Sequence, residues 1–205
     1  SPKQIAMSDY SWYETYERLY IEESQWADLI AEASRHCDVW IDIFDSFGVQ
    51  ILNSNLDKIS GIKLQSSVIE NLEVIDALRD VGIKHLSVLI NVSGHPLENI
   101  SKTLEKLSTV PSQLVLQIGF QGYPTEISDT ALSKIPSLKK SFPNNKISIA
   151  DHADANSDFA QLVPIYAHLL GCEIIEKHFC LDRESLEFDA FSAIDPTQLR
   201  ILCQR

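Results

Sequence analysis

Apolar positions along the chain follow two alternating periods. Short runs rich in Val, Ile and Leu at residues 39–43, 61–64, 86–90, 113–118, 147–150 and 172–178 read as strands. The stretches between them carry apolar residues at helical spacing. Residues 24–36 place Trp26, Leu29, Ile30 and Ala33 on one stripe behind Ser24 as N-cap, and a short helix holds Val49, Ile51 and Leu52. Asn71 opens a helix carrying Leu72, Ile75, Ala77 and Leu78, and Gly82 closes it in the usual glycine position after the last turn. Further helices are expected over 97–107, 129–140 and 158–170, and a last one from Pro196. Residues 1–22, rich in Tyr, Ser and Glu, have weak periodicity and are expected to form a loop segment with a single helical turn, set apart from a unit spanning 23–205.

Strict alternation of strand and helix predicts a parallel sheet joined by right-handed crossovers. An open doubly wound sheet and a β/α barrel both satisfy it. The glycine fingerprint of dinucleotide-binding sheets is missing. The polar residues decide for the barrel: Asp42, Lys63, Ser66, Asn91, Gln121, Tyr123, His152 and His178 lie at strand C-terminal ends or just beyond. A barrel gathers those ends at one mouth, whereas an open sheet strings them along an edge. The expected fold is therefore an α/β, TIM-type (β/α)8 barrel. With six strands against the eight of a closed barrel, it is expected to be incomplete.

Residues 172–183, Cys-Glu-Ile-Ile-Glu-Lys-His-Phe-Cys-Leu-Asp-Arg, stand out because a strand pattern there fills with charge. Alternation puts Glu176 and His178 on one face and Lys177 on the other. The strand follows a helix ending at Gly171 and is expected to be internal, so both inward groups need partners. A net charge of −12 over 205 residues argues against nucleic-acid binding and leaves any anionic ligand to a few local cations. The four cysteines lack zinc-type spacing, and no apolar run is long enough for a membrane helix; a reduced, cytoplasmic protein is expected.

Taken by themselves, the candidate residues leave alternatives open. His152 and His178 read as a divalent-metal pair or as hydrogen-bonded loop histidines. Lys63 reads as an anion clamp, a snorkelling surface lysine, or a Schiff-base amine. Tyr123 and Gln121 could orient a polar substrate or simply pack. Asp189 is a base or hydroxyl acceptor, or else a cap. His36, His85, His95 and His168 receive no role.

Together these residues resemble a known family. Glu176-Lys177-His178-Phe179 followed by Leu181-Asp182-Arg183, with Asp151-His152 one βα unit earlier and Asp195-Pro196 after it, is similar to the N-acetylneuraminate (sialic acid) synthase family. The likeness runs from about residue 23 to the end, and the loop Gly-Phe-Gln-Gly-Tyr-Pro-Thr looks like a family variant. The resemblance implies a β/α barrel that condenses phosphoenolpyruvate with an N-acylated hexosamine to give a nonulosonic acid and phosphate. It makes His152 and His178 ligands of a divalent cation, manganese by preference, with magnesium or another divalent ion as alternatives. It places Lys63, Ser66, Asn91 and Gln121 on phosphoenolpyruvate and Tyr123 and Asp189 on the sugar side, and leaves Glu176 or Asp189 as acid or base. It also implies a homodimer. Three departures oppose phosphate or substrate binding: Asp42 stands where a small hydroxyl residue is usual, Ala150 replaces a serine, and Ala190 follows Asp189. They motivate a second reading, a degenerate barrel that binds metal or sugar without catalysis. The family's first βα unit, its second strand and a C-terminal antifreeze-like domain are not found here, so the chain is expected to be a portion of a longer protein.

Overall fold

The computed structural model describes residues 13–107, 111–186 and 188–205; the first twelve residues of the expected N-terminal loop segment lie outside them. Six strands, β1 (Val39–Ile43), β2 (Ile59–Leu64), β3 (Ser87–Asn91), β4 (Gln113–Ile118), β5 (Lys146–Asp151) and β6 (Ile174–Lys177), form one sheet. They pair in sequence order and all in parallel. Helices α1 (Tyr13–Arg18) and α2 (Glu23–Ala33) precede the sheet. Its crossovers carry α3 (Ser46–Ser54), α4 (Leu72–Val81), α5 (Leu97–Leu107), α6 (Lys134–Ser141) and α7 (Phe159–Leu169), and α8 (Pro196–Gln204) follows. The sheet curls, so that β1 and β6 face one another across a cavity of about 570 Å³ bounded by Trp40, Asp42, Lys63, Leu89, Ile174 and Glu176. This is most of a TIM-type barrel, with a gap between its first and last strands.

Alternation along the strands separates two environments. Ile43, Ile62, Leu64, Val88, Ile90, Leu116, Ile118, Ile147 and Ile149 pack outward into the helix layer and form the main core with Leu52, Leu78, Ile100 and Val163. The inward positions carry the polar residues. Asp42 pairs in register with Lys63, Asn91 with Gln117, Gln117 with Ser148, and Ala150 with Glu176.

The helix signals act largely as expected. Asn71 accepts from the Glu73 and Val74 backbone, and Gly82 closes α4 at a φ of 79°. Asp195 caps α8 directly ahead of Pro196. Three expectations need correction. Glu22, not Ser24, borders α2, its N–H donating to the Gln25 side chain. The helix expected over 129–140 begins at Lys134, because Ala131 adopts a left-handed φ of 55° and Pro136 belongs in a first turn. Finally, β6 pairs only with β5 among the described residues, so it is an edge strand and not an internal one.

Candidate active site

The inward face of the sheet carries a charged network. Lys63 Nζ lies 2.7 Å from Glu176 Oε1 and 3.3 Å from Asp42 Oδ2. The second Glu176 oxygen accepts from Gln117 Nε2 at 3.0 Å, and the same amide lies 3.2 Å from Ser148 Oγ. Gln117 reaches Glu176 across β5, where the inward residues are the small Ser148 and Ala150. Asp42 also accepts from Gln65 at 3.0 Å. Burial pushes the Asp42 carboxyl above the usual range, and Lys63 and the Gln65 hydrogen bond offset part of that. Two fully buried amide atoms on this face, Asn91 Nδ2 and Gln117 Oε1, have no hydrogen-bond partner among the described residues. They are a donor and an acceptor suited to a polar ligand.

Beyond the strand ends lies a ring cluster. His152 and His178 follow β5 and β6, with ring centroids 5.0 Å apart. Tyr123 covers both, at 4.6 Å from His152 and 5.3 Å from His178. His152 Nδ1 donates to the Phe120 carbonyl at 2.8 Å, which leaves Nε2 as its lone-pair nitrogen. Burial holds this imidazole below its ordinary range; the Phe120 hydrogen bond works against the shift and the His178 ring adds to it. Asp189 Oδ2 lies 3.5 Å from His178 Nδ1, on a residue with a φ of 58°. The Tyr123 hydroxyl donates to Gln121 at 2.6 Å. Burial raises its phenol, as do the carboxylates of Asp189, Glu176 and Asp42.

The loop that supplies Tyr123 reaches His152 because of Gly119. A Cβ at that position would lie 2.8 Å from both the Cβ and the carbonyl oxygen of Ala150, so only glycine lets the chain leave β4 directly over β5. Gly119 is thus the point at which β4 admits the neighbouring strand β5. The His152 carbonyl then accepts from Thr125 N at 2.8 Å and from Ser192 Oγ at 3.0 Å.

Most of the sequence-selected residues therefore meet. Lys63 and Glu176 are in contact; His152, His178, Tyr123, Gln121 and Asp189 form the second group, and Asn91 lies on the same inward face. Ser66 sits apart on a 3₁₀ turn after β2, with His95 Nε2 lying 2.8 Å from its carbonyl oxygen. Gln117, Ser148, Ser192 and His95 were missed. Only Gln117 left a sequence signal, a glutamine at an inward position directly after the apolar run Leu114-Val115-Leu116.

As a cation site, the donor set is partial. Two imidazoles converge; the second nitrogen of His152 is oriented by a carbonyl, as is usual for metal-binding histidines, and a carboxylate lies 3.5 Å from the second nitrogen of His178. Among the described residues no group of three or more His, Cys, Asp or Glu side chains converges to hold a metal. The pair fits an ion whose remaining positions are filled by substrate or solvent, as at a catalytic site with open coordination.

With this geometry in place, comparison with known proteins is informative. A model of the NeuB family matches residues 2–205. The chain belongs to the NeuB family. The chain is 23% identical over 204 residues to N-acetylneuraminate-9-phosphate synthase of Drosophila melanogaster, covering 96% of this chain and 52% of that protein. Over 80 residues it is 41% identical to pseudaminic acid synthase of Campylobacter jejuni, covering 35% of this chain and 22% of the relative. The NeuB fold recurs in N-acetylneuraminic acid synthetase of Leptospira borgpetersenii, with a TM-score of 0.82 and 20% identity over 99% of this chain and 68% of that one. Full-length alignments thus span about half of a curated NeuB relative. NeuB relatives are enzymes of nonulosonic acid biosynthesis, making sialic, pseudaminic and legionaminic acids. Among the described residues no helix is long and apolar enough to cross a membrane.

Proposed function

We propose that the protein condenses phosphoenolpyruvate with an N-acylated hexosamine to give a nonulosonic acid and phosphate, assisted by a divalent cation held by His152 and His178. The observation that carries this reading is the meeting, at one barrel mouth of a NeuB chain, of an imidazole pair with a lysine–carboxylate–amide network. When bound, the cation, manganese in this reading, would supply Lewis acidity to the sugar aldehyde. Lys63 holds phosphate or carboxylate charge, and its contact with Glu176 opens or is shared as the anion arrives. The enol C3 attacks the aldehyde carbon, water adds at C2, and phosphate leaves. Glu176, already hydrogen-bonded by Lys63 and Gln117, is the acid or base for the water step, with Asp189 as the carboxylate beside His178. Asn91 offers its buried amide donor to the phosphoenolpyruvate side, with Gln121, while Ser66, which sits apart in the structure, is left out of that set; Tyr123 forms a wall against the sugar. Pairing as a homodimer belongs to the same reading.

The test is phosphate release by the full-length protein from phosphoenolpyruvate and N-acylmannosamine-type sugars with manganese present. Turnover that disappears on chelation and in His178→Ala is expected; no turnover with any such sugar counts against the proposal. One observation favours a non-catalytic barrel instead: Asp42 lies 3.3 Å from Lys63, which bounds the cavity on β2, opposing an incoming anion. Calorimetry separates the two, since cation-dependent phosphoenolpyruvate binding to the full-length protein would exclude that reading. A Schiff-base role needs Lys63 free of carboxylates, and two lie against it.

A further inference from the structure

Behind the imidazole pair, on the helix side of the sheet, lies an ion pair that the proposed chemistry does not use. Lys177 Nζ is 2.8 Å from Asp151 Oδ2, and the two side chains are 6% and 1% exposed. The other Asp151 oxygen accepts from Ala153 N at 2.9 Å. A buried ion pair is a poor device for stability alone, because desolvating two charges costs about as much as their attraction returns, and apolar residues of similar size often do as well. Its position supplies a different reason. Asp151 and Lys177 are the last residues of β5 and β6 and stand opposite one another in register. The next residue on each strand is His152 and His178. Alternation confirms the geometry: Glu176 turns inward to Lys63, Lys177 turns outward to Asp151, and the residue after it turns inward again. The ladder ends at this rung, so beyond it no sheet hydrogen bond sets the distance between the two imidazoles.

We infer that the Asp151–Lys177 pair is a positioning device that holds the ends of β5 and β6 together so that His152 and His178 are presented at one spacing to a shared divalent cation. This rests on the cation site proposed above. Neither residue touches substrate; both act through the adjacent histidines. Three further bonds fix the carbonyl side of each histidine: Ile194 N to His178 O at 2.9 Å, Ser192 Oγ to His152 O, and Thr125 N to His152 O. These restrain the main chain on the mouth side, and the ion pair restrains it on the helix side.

The test uses the full-length protein, stripped with chelator and titrated with Co2+ alone, reading visible absorption for the site and thermal melting for the fold. Asp151→Leu combined with Lys177→Met replaces the pair with apolar volume. It is expected to melt at or above the parent temperature while binding cobalt about 10–100-fold more weakly, the loss typical of removing an outer partner of a metal ligand. Lys177→Arg, which keeps the ion pair, is expected to bind like the parent. If the double variant folds and binds cobalt as the parent does, the inference is wrong. Should the double variant fail to fold, Asp151→Glu serves instead: both charges remain but the link is one methylene longer, and unchanged cobalt affinity in a folded protein again overturns the inference. A parent protein that binds no cobalt overturns the cation site itself, and the clamp with it. Parent binding with insensitive variants removes only the clamp.

Discussion

His152 is nearly fully buried, its Nδ1 engaged by a carbonyl and its ring wedged beside Tyr123 and His178. Because burial lowers its folded pKa, the native state binds the imidazole proton more weakly than the unfolded chain, whose value is about 6.5. The linkage therefore runs in one direction: stability is complete above about pH 6.5 and erodes as pH falls toward the lowered folded value. In chelator-treated protein the urea midpoint is expected to decline from pH 7 to pH 5, and to decline less in His152→Gln. Equal slopes for the two proteins would contradict the burial argument. Legibility at this scale depended on what each residue needs. His152, His178, Glu176 and Lys63 could be read because ionisable groups at strand ends demand partners. Gln117 left the signal of an inward glutamine but not its partner, because its reach to Glu176 depends on Ser148 and Ala150 being small on the strand between them, a fact of register and not of local pattern.

Elements were more legible than their joints. All six strands and the crossover helices follow from hydrophobic period, since each must bury an outward stripe against the other. The misses fall where a local conformation overrides period, as at Ala131, whose left-handed backbone delays α6. Gly119 is the joint that matters for the site, because it lets the β4 loop cross Ala150 and deliver Phe120 O and Thr125 N to His152. Gly119→Ala would place a methyl 2.8 Å from backbone and side chain that cannot easily retreat. An overpacking cost of about 1–3 kcal/mol is expected in urea unfolding. The Tyr123 loop should move with it, so cobalt binding at the histidines should weaken as well. A variant with parent stability would show that the loop has another route over β5.

At the scale of the whole molecule, the net charge of −12 and the parallel half-barrel pull against the proposed anionic substrate. The barrel class was legible from where the polar residues fall along the strands. The gap between β1 and β6 was legible only as a strand count, because closure is a three-dimensional property. The diffuse negative field is screened within about 8–10 Å and so bears on the rate at which an anion arrives. Affinity is decided inside the mouth, where Lys63 already faces Glu176 and Asp42. A carboxylate about 6 Å from a bound phosphate opposes it by about 2.8 kcal/mol at an effective dielectric of about 20, and by about half of that for a group that, like Asp42, is only partly buried, its side chain 35% exposed. Asp42→Ser is therefore expected to tighten phosphoenolpyruvate binding by about tenfold in calorimetry at constant ionic strength, with little change in the salt dependence of the association rate. Weaker binding in the variant would reverse the assignment. Asp42 would then be the group that holds Lys63 in place for the anion, and the departure from a hydroxyl residue at this position would be an adaptation of the site and not a sign of its decay.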